Sequence, residues 1–196
     1  MCNGAGHGQL PLIKIAKEMG FNVIAVDRDR DSIGFRYADH CIVESTYNTD
    51  AVISALRKEE QRYDMKGVVS RTTAFESLRT ACVIAEVYGL PGLSMELIRI
   101  ATEKSRLREY CFNNNISFPH GVKTNIPGIP EPMVFPVIVK PDMTKWGKAS
   151  IHLCLDESEL AESILNARKS SSSGYVEIES YIEGIDVSCL CFCDKG

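Results

Sequence analysis

Lys140 ends the apolar run "VFPVIVK" (134–140), and Pro141 then opens the loop "DMTKWGKAS" (142–150), which holds two more lysines, Trp146 and Gly147. An ammonium at the mouth of a buried strand, beside a glycine-containing loop, is a natural contact for phosphate. A lysine stem lying on apolar surface with its charge in water would explain the same residue. In "YVEIESYIEGIDVS" (175–188), strand alternation puts Glu177 and Glu179 on one face and Val176, Ile178 and Ile182 on the other. Asp186 comes seven positions after Glu179, across the short "EG" connection, and can face the same cleft. A carboxylate there can accept ribose hydroxyls, while the backbone of Ser180, Tyr181 and Ile182 can read an adenine edge. Solvated acids on an edge strand are the ordinary alternative.

A second constellation opens the chain. In "GAGHGQ" (4–9), the N–H groups of a glycine-rich turn and of the following helix N-terminus converge and favour an anion. The dinucleotide pattern GxGxxG wants glycine where Gln9 stands, although Asp27 ends the next strand as a ribose-binding acid would. A structural tight turn, a nucleotide-binding module and an NAD-type oxidoreductase all remain open on these residues.

Composition narrows the classes. The 196 residues are 44% hydrophobic and 24% charged, enough for one large or two smaller cores. The net charge is −4, and the 22 Lys and Arg are spread along the chain, which argues against nucleic acid or an acidic membrane surface as partner. No signal-peptide pattern opens the sequence, and no apolar run approaches spanning length, so a cytosolic protein is expected. The eight cysteines form no CxxC pair and are expected to be buried and reduced, with Cys189, Cys191 and Cys193 on one strand face. No metal ligands are assigned, because the histidines do not cluster in sequence.

These residues need elements to hold them. Leu12, Ile13, Ala16 and Met19 recur at helical spacing, and Gly20 stops the helix. "FNVIAVD", "CIVES" and "KGVVS" read as strands, with helices begun by Asn48 or Thr49 and running from about Ala74 to Tyr88. Strands alternating with helices over about 90 residues predict an α/β, doubly wound parallel sheet. From Ser94 the pattern changes. Ser94 and Thr102 can cap two helices, and "NIPGIPEP" (125–132) reads as a linker. "MVFPVIVK" and "SIHLCL" are strands, and Asp156 with Glu159 caps a helix burying Leu160, Ile164 and Leu165. "SSSSG" (170–174) is the most flexible stretch, and two strands, "YVEIESYI" and "DVSCLCFC", close an α+β half.

In this order the segments resemble the ATP-grasp superfamily, in its carboxylate–amine ligase branch, which includes carbamoyl-phosphate synthetase large subunits and biotin carboxylases. "GAGHGQLPLIKIAKEMGFNVIAVDRD" and "GVVSRTTAFESLRTACVIAEVYGLPG" are similar to its Rossmann-like pre-ATP-grasp domain, here residues 1–93. Residues 94–196 resemble the first part of the α+β ATP-grasp domain, with a lid at about 121–182. "TEKSRLREYCFNNNISFP" implies an ATP-contacting role for Lys104, "FPVIVKP" the same for Lys140, and "DMTKWGKAS" stands where the family has a mobile phosphate loop. "IESYIEGIDVS" resembles the adenosine clamp, implying Glu179 and Ser180 to Ile182 at the adenine and Asp186 at the ribose. The resemblance further implies ATP and Mg²⁺ as cofactors and small-molecule carboxylate and amine substrates. It also implies an acceptor pocket around Gly4, Gly6, His7, Gly8, Arg71, Thr72 and Glu76. A homodimer is compatible with it. The loop departs from the pattern in having a single glycine, Gly147, beside Trp146. The family's metal-binding acids and catalytic arginine lie downstream of the clamp, so the chain is expected to be an inactive fragment. A binding subunit whose partner supplies the missing lobe is the third reading.

Overall fold

The computed structural model describes residues 1–60, 62–126, 133–144, 150–187 and 189. The chain divides into two compact units, Met1–Leu107 and Arg108–Gly196. No helix among the described residues is long and apolar enough to cross a membrane.

The first unit is built on a parallel sheet of β1 (Cys2–Asn3), β2 (Ile24–Asp27) and β3 (His40–Val43), in that order. "KGVVS" lies on the free side of β1 but touches it as an isolated parallel bridge from Val69 to Cys2, short of a full strand. The helices are α1 (Leu10–Glu18), α2 (Thr49–Arg57), α3 (Phe75–Val87) and α4 (Met95–Thr102). Alternation along β2 sends Val23 and Ala25 to a cluster with Ile13 of α1, and Ile24 and Val26 to a cluster with Val52 and Leu56 of α2 and Ile84 of α3. Both faces are therefore covered, as the doubly wound pattern requires. Asn48 caps α2 through its side chain, which accepts the Ala51 amide at 3.3 Å. Gly20 ends α1 at φ +83°, where its amide and that of Phe21 bond back to Lys17 and Ala16. Met19, counted with the apolar face of α1, is exposed because it sits at the helix cap. α4 packs on α3 and so belongs to this unit, where the sequence pattern changes at residue 94.

Helix α5 (Lys104–Asn113) leads into the second unit. Thr102 does not cap it; its hydroxyl bonds back to the Ile98 carbonyl at 2.7 Å, inside the preceding helix. The unit is an antiparallel sheet of β4 (Gly121–Thr124), β5 (Val137–Pro141), β6 (His152–Cys154) and β7 (Val176–Ser180), ordered β4-β7-β5-β6, with α6 (Leu160–Ser170). One sheet face and α6 form the core: Val122, Val137, Val139, Cys154, Val176 and Ile178 against Leu160, Ile164 and Ala167. Leu165, expected inside, is 46% exposed because helical spacing turns it away from that stripe. Asp156 accepts the Ser158 amide, while Glu159 reaches back to Leu155. β5 begins at Val137, later than the apolar run suggests, and its other face is only half-buried at Ile138 and Lys140. The serine stretch is tied down: Ser171 is buried, the Ser172 amide bonds the Met143 carbonyl at 3.0 Å, and Ser173 donates to Asp142. Of the second closing strand, residues 186 and 187 carry no strand, and most of the remainder lies outside the described residues. Four of the cysteines, Cys2, Cys82, Cys111 and Cys154, are buried as expected, but Cys41 and Cys189 are exposed; Cys191 and Cys193 lie outside the described residues.

Candidate nucleotide site

The polar face of the second sheet gathers the charges. In an antiparallel sheet, directly opposed residues share a face, and the register sets Lys123 of β4 and Lys140 of β5 on either side of Glu177 of β7. Two residues along β7, Glu179 lies between Gly121 and Ile138. Lys140 Nζ pairs with Glu179 Oε1, and Arg108 Nη2 of α5 pairs with Glu177 Oε2. Lys123 pairs with the buried Asp142 at 2.8 Å and stands over the Tyr175 ring, 4.6 Å from its centroid. Three cations thus meet three carboxylates, of which Asp142 and Glu177 are fully buried and Glu179 is 8% exposed. Burial lowers the proton affinity of the Arg108 guanidinium, and the charges of Glu179 and then Asp142 oppose that shift.

This arrangement corrects one expectation and sharpens another. The two acids do share a face, but β7 is an interior strand, so they are buried and paired instead of solvated on an edge. Gly121 makes the close strand approach possible: a Cβ there would stand 2.7 Å from the Ile178 carbonyl and 2.9 Å from Glu179 Cβ. Beyond β7, the Ser180 amide bonds the His120 carbonyl at 2.8 Å and the Tyr181 amide bonds the Pro136 carbonyl at 3.1 Å. Those two N–H groups, expected to be unpaired, are used within the unit. Ile182 and Asp186 follow in an exposed stretch without strand structure, and among the described residues the Glu179 carboxylate is ion-paired with Lys140 and not hydrogen-bonded to Asp186. Trp146 and Gly147 lie outside the described residues. Lys104 opens α5 and is half-buried. Arg108, Lys123, Asp142 and Gly121 were not singled out in the sequence. One signal was available for Arg108: two carboxylates in a run as apolar as "YVEIES" need buried cations nearby.

In the first unit the loop after β1 and the turn after Val69 meet at the C-terminal edge of the parallel strands. Gln9 Nε2 donates to the Arg71 carbonyl at 2.8 Å, and Arg71 Nη1 donates to the Gly8 carbonyl at 2.9 Å. Gly4 holds φ +113° with the Gln9 side chain packed against it, so Gln9 fills space that a third glycine would leave open. Asp27 accepts the Ala5 amide at 2.9 Å through one oxygen and the Asp29 amide at 3.0 Å through the other. The Gln9 and Leu10 amides turn to the Gly6 carbonyl, so among the described residues only the 6–8 amides of this loop lack a protein acceptor. Glu76 is paired with Arg79 at 3.0 Å, and Thr72 accepts the Ala74 amide at 3.1 Å.

No family model matches the chain, and no curated protein matches it in sequence. Solved structures do. L-amino acid ligase from Bacillus licheniformis superposes with a TM-score of 0.73 at 20% identity, covering 92% of this chain and 43% of that one. N5-carboxyaminoimidazole synthetase from Staphylococcus aureus, complexed with ADP, gives 0.71 at 17% identity, covering 91% and 46%. The biotin carboxylase–β-γ-ATP complex from Campylobacter jejuni gives 0.70 at 20% identity, covering 93% and 44%. The chain shares the fold of these solved structures over more than nine-tenths of its length. It spans under half the length of these solved structures.

The described residues do not suit a divalent metal ion. No group of three His, Cys, Asp or Glu among them could hold one. The clustered carboxylates Glu177, Glu179 and Asp142 are already matched to Arg108, Lys140 and Lys123.

Proposed function

We propose that the polar face of the second sheet holds ATP, and that the chain is part of an ATP-dependent ligase joining a small carboxylate to an amine. The observation that carries this reading is the Lys140–Glu179 pair on the polar face of a sheet whose fold is shared with solved complexes of ADP and β-γ-ATP. Lys140 serves the phosphates, and Lys104 on α5 adds a second ammonium. Trp146 and Gly147 are proposed to contact the phosphates, Glu179 with Ser180, Tyr181 and Ile182 borders the adenine, and Asp186 takes the ribose. Tyr181 and Ser180 contact the base through groups other than their amides, which the sheet already uses.

In this reaction a carboxylate oxygen attacks the terminal phosphorus, the bond to the bridging oxygen breaks, and ADP leaves. The amine then attacks the acyl carbon and expels inorganic phosphate. The chain's contribution is orientation and positive charge around the polyphosphate. The described residues do not supply ligands for Mg²⁺. The acceptor carboxylate is proposed to lie against Gly4, Gly6, His7 and Gly8 with Arg71, Thr72 and Glu76, where three loop amides remain open. A dinucleotide fits this loop poorly, because Gln9 fills the turn and both Asp27 oxygens already accept backbone amides.

Calorimetric titration with a non-hydrolysable ATP analogue tests the proposal. The expected result is saturable binding that Lys140→Ala weakens by roughly tenfold or more, the worth of a charge-assisted contact. An unchanged dissociation constant in that variant, or tighter binding of NADH than of the analogue, would overturn it.

A further inference from the structure

Among the described residues the polar face sets three cations against three carboxylates, and Lys140 is held by Glu179, so a polyphosphate that gains Lys140 draws it off Glu179. Glu179 is 8% exposed and cannot recover that lost partner from bulk water. Among the described residues, Glu179 Oε2, Arg108 Nε and Nη2 and both Glu177 oxygens are buried without a hydrogen-bond partner, all within one charge cluster. Of these, Arg108 Nε and Glu179 Oε2 are complementary in character. Arg108 already holds Glu177 through Nη2. One Nη2 hydrogen lies on the Nε edge of its planar guanidinium and the other faces Nη1, so the group can serve two carboxylates on two edges. Glu177 and Glu179 are two residues apart on the same face of β7, roughly 7 Å along the strand, a span that one guanidinium can bridge.

We propose that Arg108 is a positioning residue of the nucleotide site, which takes over the Glu179 carboxylate when phosphate captures Lys140 while it keeps Glu177 on its other edge. This rests on the ATP reading above. It assigns Arg108 a role that a buried structural pair with Glu177 would not require.

The test compares affinities for the same ATP analogue in the full chain. Arg108→Met alone strands Glu177 and can damage folding, so the deciding variant is Arg108→Met/Glu177→Met, which removes both charges together; circular dichroism verifies its fold. Expected is an affinity loss of roughly tenfold for this pair, the worth of one charge-assisted hydrogen bond, and a clearly smaller change for Glu177→Met, which keeps Arg108 for Glu179. In a Glu179→Gln background the paired substitution should no longer change affinity, a result that a purely structural role would not produce. Wild-type affinity in the double variant would overturn the proposal while leaving the ATP reading intact, as would an equal loss in Glu177→Met alone. Absence of analogue binding by the unsubstituted chain would overturn both.

Discussion

A carboxylate with no exposed surface, as at Glu177, is tolerable only beside a fixed positive charge, and Arg108 supplies it. Asp39 is a milder case of the same physics. Its carboxylate accepts from Lys17 Nζ at 2.5 Å and from the Val23 amide at 2.6 Å, tying α1 to the start of β2. The Lys17 ammonium first, and the Val23 amide second, hold the Asp39 carboxyl below its ordinary range against a small opposing effect of burial. A depressed carboxylate binds fewer protons in the fold than in the unfolded chain, so its stabilisation is present above about pH 4 and is lost as pH falls through the lower folded value. Thermal melts of the first unit should therefore weaken on acidification below about pH 4. Asp39→Asn should cost on the order of 1 kcal/mol at neutral pH and flatten that acid limb; an unaltered acid limb would show that Asp39 contributes nothing.

At the scale of elements, β4 and β7 approach closely only because residue 121 has no side chain. Gly121→Ala should push the strands apart at the row containing Glu179 and cost about 1–3 kcal/mol, seen as a lower unfolding midpoint of the second unit. On the opposite face, Ile164→Ala empties a fully buried site between α6 and the sheet and should cost about 2–5 kcal/mol. A surface swap at Leu165 should be nearly silent, which separates the two faces of α6. Periodicity made most elements legible: the helices begun by Asn48 and Ser94, the Gly20 stop and the shared face of Glu177 and Glu179 can all be read from residue types and spacing. The interior position of β7 could not be read, because strand order depends on which segments pair across the chain and not on alternation within any one of them. The missed helix start at Thr102 has a local cause, since its hydroxyl found the Ile98 carbonyl before it could serve the next helix.

For the whole molecule, each unit has its own hydrophobic clusters, so calorimetry should resolve two unfolding transitions. Val26→Ala should lower one and Val139→Ala the other, while an ATP analogue should raise the transition of the second unit, by about 2.7 kcal/mol at a hundredfold excess over its dissociation constant. A single transition lowered equally by both substitutions would contradict this. The order of motifs, from glycine turn to Lys104, Lys140, Glu179 and Asp186, carried a resemblance to the ATP-grasp superfamily, and the solved structures bear out the fold it implied; hydrophobic period and turn residues, which act locally, made the elements themselves legible. Which charges neutralise one another was decided only by the tertiary arrangement. Lys140 with Glu179, Arg108 with Glu177 and Lys123 with Asp142 are partners because strand pairing and α5 bring together residues between 19 and 69 positions apart and bury the carboxylates among them.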